Sequence, residues 1–149
     1  GFENAYFDRV APFTGIRETR RLVGEYILTE QDIFDCAKFD DSIAVSAYPV
    51  DQHHPVGGDC TLMWCPDCHD IPYRSLLPKK IDSLIVAGRC ISATHLALAS
   101  VRVMGPAMAT GEAAGKAAAL SVKHNVQLRD LDVAALQTAL REEGVYLRD

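Results

Sequence analysis

The sequence predicts an α/β or α+β domain, and three observations carry that expectation. An aliphatic run over residues 84–87 has the composition of a strand buried on both faces. An alanine-rich stretch without proline, residues 107–123, follows it and reads as a long helix. Short β-prone runs lie upstream, and a second, amphipathic helical pattern lies downstream.

Taken in order, residues 1–14 are aromatic and irregular, with Pro12 and Gly15 as breakers. Residues 22–28 offer a strand flanked by Arg17, Arg20 and Arg21. Such a group forms either a solvated, ion-paired face or an anion clamp, since the guanidinium fork suits carboxylate and phosphate. Thr29 and Asp32 have the spacing of a capping box, with Asp in the third position, and predict a helix over 30–38. A second strand is expected over 42–48, stopped by Pro49. Residues 51–59 read as a turn-rich loop, in which His53, His54 and Asp59 invite a metal or acid–base reading beside the plain one of polar loop residues.

Cys65-x-x-Cys68-His69 has the spacing of c-type haem attachment, and Cys60 adds a further soft donor. A second Cys-x-x-Cys half is absent, and Pro66 with Ile71-Pro72 suggests a hairpin loop. Plain loop thiols are therefore expected first, a bound metal second, a disulfide or haem last, and no metal ligand is assigned. Five cysteines, an odd number without a visible secretory signal, favour a reducing, cytoplasmic setting. Residues 71–77 read as a short strand bounded by Pro72 and Pro78.

The run at 84–87 ends at Gly88, and a connecting loop carrying His95 and Arg102 leads to Gly105-Pro106, which open the long helix. One helical face carries Met104, Met108, Gly111, Gly115, Ala118 and Val122, while Glu112, Lys116 and Lys123 form a polar stripe. Gly111 and Gly115 each cost about 1 kcal/mol in a helix interior, so either tight helix-on-sheet packing or a flat ligand is expected to gain from them. The N–H groups from Met104 to Met108 would present a positive helix end to an electron-rich group. Lys123, His124 and Asn125 close the helix. Asp130 or Asp132 then caps a last one, with Val133, Leu136 and Leu140 on one face and Gly144 as its stop.

With 149 residues, 48% apolar and 23% charged, the chain has the material for one globular core. A net charge of −5 supplies no basic footprint for nucleic acid or anionic membrane, and no apolar run approaches the roughly 20 residues of a membrane span.

The segments "LIVAGRCIS", "ATHLALASVRVM" and "GPAMATGEAAGKAAAL" resemble the C-terminal cofactor-contacting segment of FAD-dependent oxidoreductases with a glutathione-reductase-like two-part fold. The closest resemblance is to a bacterial family often grouped with xanthan lyase. "GIRETRRLVGEYILTEQDI", "SAYPVDQHH" and "IPYRSLLPK" agree with it in the same order. The resemblance implies FAD as cofactor and hydride transfer between a small-molecule substrate and flavin. It implies cofactor contacts at Gly88, Arg89, Val103, Met104, Gly105, Pro106 and Ala107, substrate contact or catalysis at His95 and Arg102, and Tyr73 and Arg74 nearby. The Gly-x-Gly-x-x-Gly turn that holds the ADP moiety is missing from the sequence. Residues 1–149 therefore read as one domain, the C-terminal part of a larger FAD/NAD(P)-binding enzyme, inactive without an N-terminal FAD-binding half as partner. The rival reading is a non-catalytic metal-binding or interaction module built on Cys60, Cys65, Cys68 and His69.

Overall fold

The computed structural model describes residues 1–53 and 58–148, and among these the chain is mixed α+β. In chain order the elements are α1 (Glu30–Phe34), β1 (Ser42–Ser46), β2 (Val50–His53), β3 (Cys60–Met63) and β4 (His69–Pro72). They are followed by α2 (His95–Val101), α3 (Met104–His124) and α4 (Val133–Glu142). The strands form two antiparallel pairs. β1 pairs with β4, with Ala44 opposite Ile71 and a register shift between Ser42 and Ala44. β2 pairs with β3, with Val50 opposite Met63 and His53 opposite Cys60.

Local chemistry sets the helix ends. Thr29 and Asp32 form the expected capping box: the Thr29 amide donates to the Asp32 carboxylate at 2.8 Å, and the Asp32 amide donates to the Thr29 hydroxyl at 3.3 Å. α1 is nevertheless shorter than predicted, because Cys36 takes a left-handed conformation (φ 52°) and closes it. The Cys36 amide donates to Ile33 O and the Ala37 amide to Asp32 O, the paired bonds of a Schellman motif. Asn125 (φ 53°) ends α3 and Gly144 (φ 90°) ends α4 with the same pair of bonds. Asp132, rather than Asp130, caps α4 by accepting from the Ala134 and Ala135 amides.

Several expectations fail where pairing overrides composition. Residues 84–87 are not a strand: Leu84 is 42% exposed, and the bond from the Val86 amide to Leu76 O is a single tie and not a ladder. Residues 22–28 run extended between two segments, held by isolated bridges from Gly24 to Pro78 and from Leu28 to Ala93. Gly24 is needed there, since a Cβ would lie 2.6 Å from the Ser92 Cβ, and its amide donates to the Ser92 hydroxyl at 3.1 Å. Residues 50–53 form a strand, although the sequence reads as loop from residue 51 onward. After Pro72 the chain turns into a 3-10 helix, Tyr73–Leu76, with the Ser75 hydroxyl donating back to Pro72 O. Residues 95–101 are helical, not a loop, because Thr94 caps them by accepting from the Ala97 amide. His54 and Gly57 lie outside the described residues.

The core is built from Leu28, Ile33, Ile43, Ile71, Tyr73, Leu76, Ile91, Leu98, Leu136 and Leu140. α3 packs on β1 and α4 through Pro106, Thr110, Ala113, Ala114 and Ala117. The opposite face, Met104, Met108, Gly111, Gly115 and Val122, is exposed, with Met104 83% and Val122 82% accessible. A Cβ at Gly111 or Gly115 would meet nothing within 4 Å, so tight packing inside this chain does not explain the glycines. Among the described residues no helix is long and apolar enough to cross a membrane.

At the C-terminal end, Arg148 folds back onto the strand β4. Its Nε donates to the buried Asp70 carboxylate at 2.7 Å, Nη1 to Cys68 O at 2.8 Å, and Nη2 to Cys36 O at 3.1 Å and to Ala37 O. Beside it lies His69, fully buried, with no partner for either ring nitrogen among the described residues. Burial first, and then the Arg148 charge, pull its pKa down to about 4.

Candidate functional site

The N-terminus of α3 meets the β2–β3 ribbon and the turn after residue 87 in an open cleft of about 720 Å³. Gly88, Arg89, Val103, Met104 and Ala107 line it together with Arg17, Tyr48, Asp51 and Arg102. A shallower apolar hollow adjoins it, sharing Tyr48 and Val103 and adding Leu62, Trp64, Gly105 and Pro106. A further cleft of about 660 Å³ lies at the far end of α3, around Ser121 and Val126. There the helix presents its carbonyl end, which disfavours anions.

Three guanidinium groups thus converge on one cleft, and each is held in place. Arg102 caps the end of α2 and donates to Asp51 O at 3.0 Å. Arg89 donates to Ile16 O at 3.0 Å, and not to Glu112. Arg17 lies 2.8 Å from His53 Nε2. A guanidinium has five N–H donors, and among the described residues each of these three is tied by one hydrogen bond, which leaves donors for an anion. Asp51 is the counter-charge. Its pKa is lowered mainly by the thiol hydrogen bond from Cys60, so it stays ionised near neutral pH.

The positive helix end is narrower than the sequence suggests. Met104 and Gly105 are the first helical residues and have no intrahelical acceptor, Pro106 has no N–H, and the Ala107 amide already donates to Val103 O at 3.0 Å. Two amides, not the whole run to Met108, are therefore available there. Gly105 sits in ordinary helical backbone, and a Cβ there would meet nothing within 4 Å. Its lack of a side chain keeps the surface open and answers no demand of the backbone. Gly88, by contrast, has φ 71°, donates to the Thr110 hydroxyl at 3.0 Å, and turns the chain into the cleft.

The sequence-derived candidates divide accordingly. Gly88, Arg89, Arg102, Val103, Met104 and Ala107 share the cleft wall, and Gly105 and Pro106 line the adjoining hollow. His95 is not at the cleft wall: it is the first residue of α2, and its Nδ1 lies 2.9 Å from the Glu18 carboxylate. Tyr73 and Arg74 belong to the scaffold. The Tyr73 hydroxyl is buried and donates to Leu128 O at 2.8 Å, while Arg74 pairs with Asp41 at 2.9 Å and covers the Tyr26 ring. Tyr48 and Asp51 are wall residues that sequence reasoning did not single out; the segment "SAYPVDQHH" was the available signal. The supposed Cys60, Cys65, Cys68 and His69 cluster does not assemble. Among the described residues, Cys60 joins Asp51 and His53 instead, and His69 is sealed in the core.

A helix start and three arginines thus meet around one open cleft on an α+β scaffold. The chain belongs to the FAD dependent oxidoreductase family, whose model matches residues 1–140. Neither the curated proteins nor the solved structures include a match to it.

Proposed function

We propose that this chain supplies the flavin-facing and substrate-facing part of an FAD-dependent oxidoreductase. The observation that carries the reading is the cleft where Arg17, Arg89 and Arg102 meet the start of α3, whose first two amides are free, Met104 lining the cleft and Gly105 the adjoining hollow. These groups fit an electron-rich, anionic ligand edge, and the exposed α3 face with its bare Gly105, Gly111 and Gly115 leaves room for a flat group. When bound, FAD would supply hydride exchange with a small-molecule substrate. The chain's part is to bind and orient. The Met104 and Gly105 amides and the fixed Arg89 stabilise negative charge at the cleft wall, in a setting that costs no reorganisation during reaction. Arg102, anchored on Asp51 O, positions a substrate anion, with His95 further off. Ionised Asp51 balances the guanidinium groups and can accept a proton or a hydrogen bond from a ligand.

The missing pyrophosphate-binding turn implies that the ADP part of the cofactor is held by an N-terminal half of a larger enzyme, with this chain as its C-terminal part. Unpaired residues 84–87 would then gain strand neighbours from that half. The test is a flavin fluorescence titration of the chain alone and of the full-length parent. Weak or undetectable FAD binding by the chain, stoichiometric FAD in the parent, and a tenfold or larger loss in parent Arg89→Ala are expected. A yellow isolated chain with stoichiometric flavin would overturn the two-part reading, and a flavin-free parent would overturn the function.

A further inference from the structure

We propose that Asp51, His53 and Cys60 form a zinc-binding site on the β2–β3 ribbon. The site shares Arg17 and Asp51 with the proposed flavin cleft, and its test reads bound metal rather than flavin. Strand geometry brings the three together: Asp51 and His53 are two residues apart on β2 and so share a face, and Cys60 stands directly opposite His53 on β3. One donor atom from each lies within 4.8 Å of the others. A carboxylate oxygen, an imidazole nitrogen and a thiol sulfur form a donor set that zinc accepts, and three protein ligands with an open position are the pattern of reactive zinc sites. The known bond lengths place tetrahedral ligand atoms about 3.4–3.6 Å apart. His53 Nε2 is already 3.1 Å from Asp51 Oδ1, and the Cys60 Sγ, 2.6 Å from Oδ1, needs to open by only about 1 Å on that geometry.

A second observation points to a cation at this place. Arg17 Nη1 lies 2.8 Å from His53 Nε2, while Asp51 Oδ1 and Oδ2 lie 3.1 Å and 3.2 Å from the same nitrogen. Arginine only donates and the carboxylate only accepts, so Nε2 cannot serve both. With a lone pair it accepts from Arg17 and faces the carboxylate without a proton between them. With a proton it serves Asp51 and turns an N–H toward a guanidinium. A divalent ion removes the conflict: it takes the Nε2 lone pair, an Asp51 oxygen and the Cys60 sulfur after that thiol gives up its proton to solvent, and Arg17 turns aside. Because Asp51 also lines the cleft, the ion sits at its wall.

The test uses the purified chain, metal-stripped and titrated with zinc against a chromophoric chelator, and repeated with cobalt to look for a thiolate-to-metal charge-transfer band. One zinc per chain is expected, with proton release and a cobalt–thiolate band. Cys60→Ser should abolish the band, and both Cys60→Ser and His53→Gln should weaken zinc at least tenfold. Both residues are exposed, so circular dichroism should report unchanged folding. The double variant Cys65→Ser/Cys68→Ser should bind zinc within twofold of the parent chain. Zinc affinity unmoved by Cys60→Ser, or lost in the Cys65/Cys68 variant, would overturn the site.

Discussion

Replacing Arg148 by alanine should be among the most damaging single changes in the chain, although the residue does not line the cleft. The Asp70 side chain is only 2% exposed and its charge partner is Arg148 at 2.7 Å. Removing one partner of a buried pair leaves an uncompensated charge, which typically costs about 3–5 kcal/mol. Asp70 keeps one hydrogen bond, from the Phe39 amide at 3.1 Å, which argues for the lower end. Three carbonyls, of Cys36, Ala37 and Cys68, lose a donor as well. A loss of about 3 kcal/mol corresponds to a Tm drop of roughly 6–12 °C in a chain of this size. Urea unfolding followed by far-UV circular dichroism measures it directly. Adding Asp70→Asn to Arg148→Ala should recover part of the loss, because the stranded charge disappears. A single-variant loss under 1 kcal/mol, or a double variant that is simply additive, would refute the reasoning.

Four other outcomes are expected. Stability should fall with acid through His69: its native pKa is depressed to about 4 from 6.5, so the unfolded chain binds the proton first and stability present above pH 6.5 is lost between pH 6.5 and 4. The loss reaches about 3 kcal/mol at most, and His69→Gln should flatten the difference between urea midpoints at pH 7 and pH 5. Gly24→Ala should destabilise by roughly 1–3 kcal/mol through overpacking against Ser92, read as a lower Tm. Gly105→Val in the full-length parent should reduce FAD occupancy or turnover at least tenfold with Tm nearly unchanged, since a Cβ there has no atom of this chain within 4 Å; normal flavin content and turnover would remove the helix start from the site. Asp132→Ala should cost about 1 kcal/mol by exposing the Ala134 and Ala135 amides, measured by the same urea midpoint.

Features encoded within a few residues were legible in the sequence. The Thr29–Asp32 box, the long alanine-rich helix with Asn125 at its end, and the amphipathic closing helix all rest on local hydrogen bonding or helical periodicity, which neighbouring residues decide. What failed depended on partners distant in the chain. Residues 84–87 have the composition of a strand but lack a ladder, and residues 51–53 look like a turn yet find one in residues 60–62. The helix at 95–101 was hidden because its cap, Thr94, sits in a run of small residues that resembles a loop. The cleft was half legible. The residues around Gly88 and Met104 stood out, whereas Tyr48 and Asp51 reach it only because β1 packs on α3 and β2 on α2.

The thin anchoring of α3 ties its two ends together. The helix spans 21 residues, about 31 Å, and its fully buried side chains are no larger than proline or threonine. Two glycines on its open face cost about 2 kcal/mol between them. Little apolar area therefore opposes its partial opening, and the order of the whole helix is a quantity that a ligand can change. An anion held by the Met104 and Gly105 amides would favour the helical state along its full length, so amide exchange near Val122 and Asn125 should slow when the cleft is filled, with no displacement of atoms between them. Unchanged exchange at that end on saturation of the cleft would show that the two ends are independent.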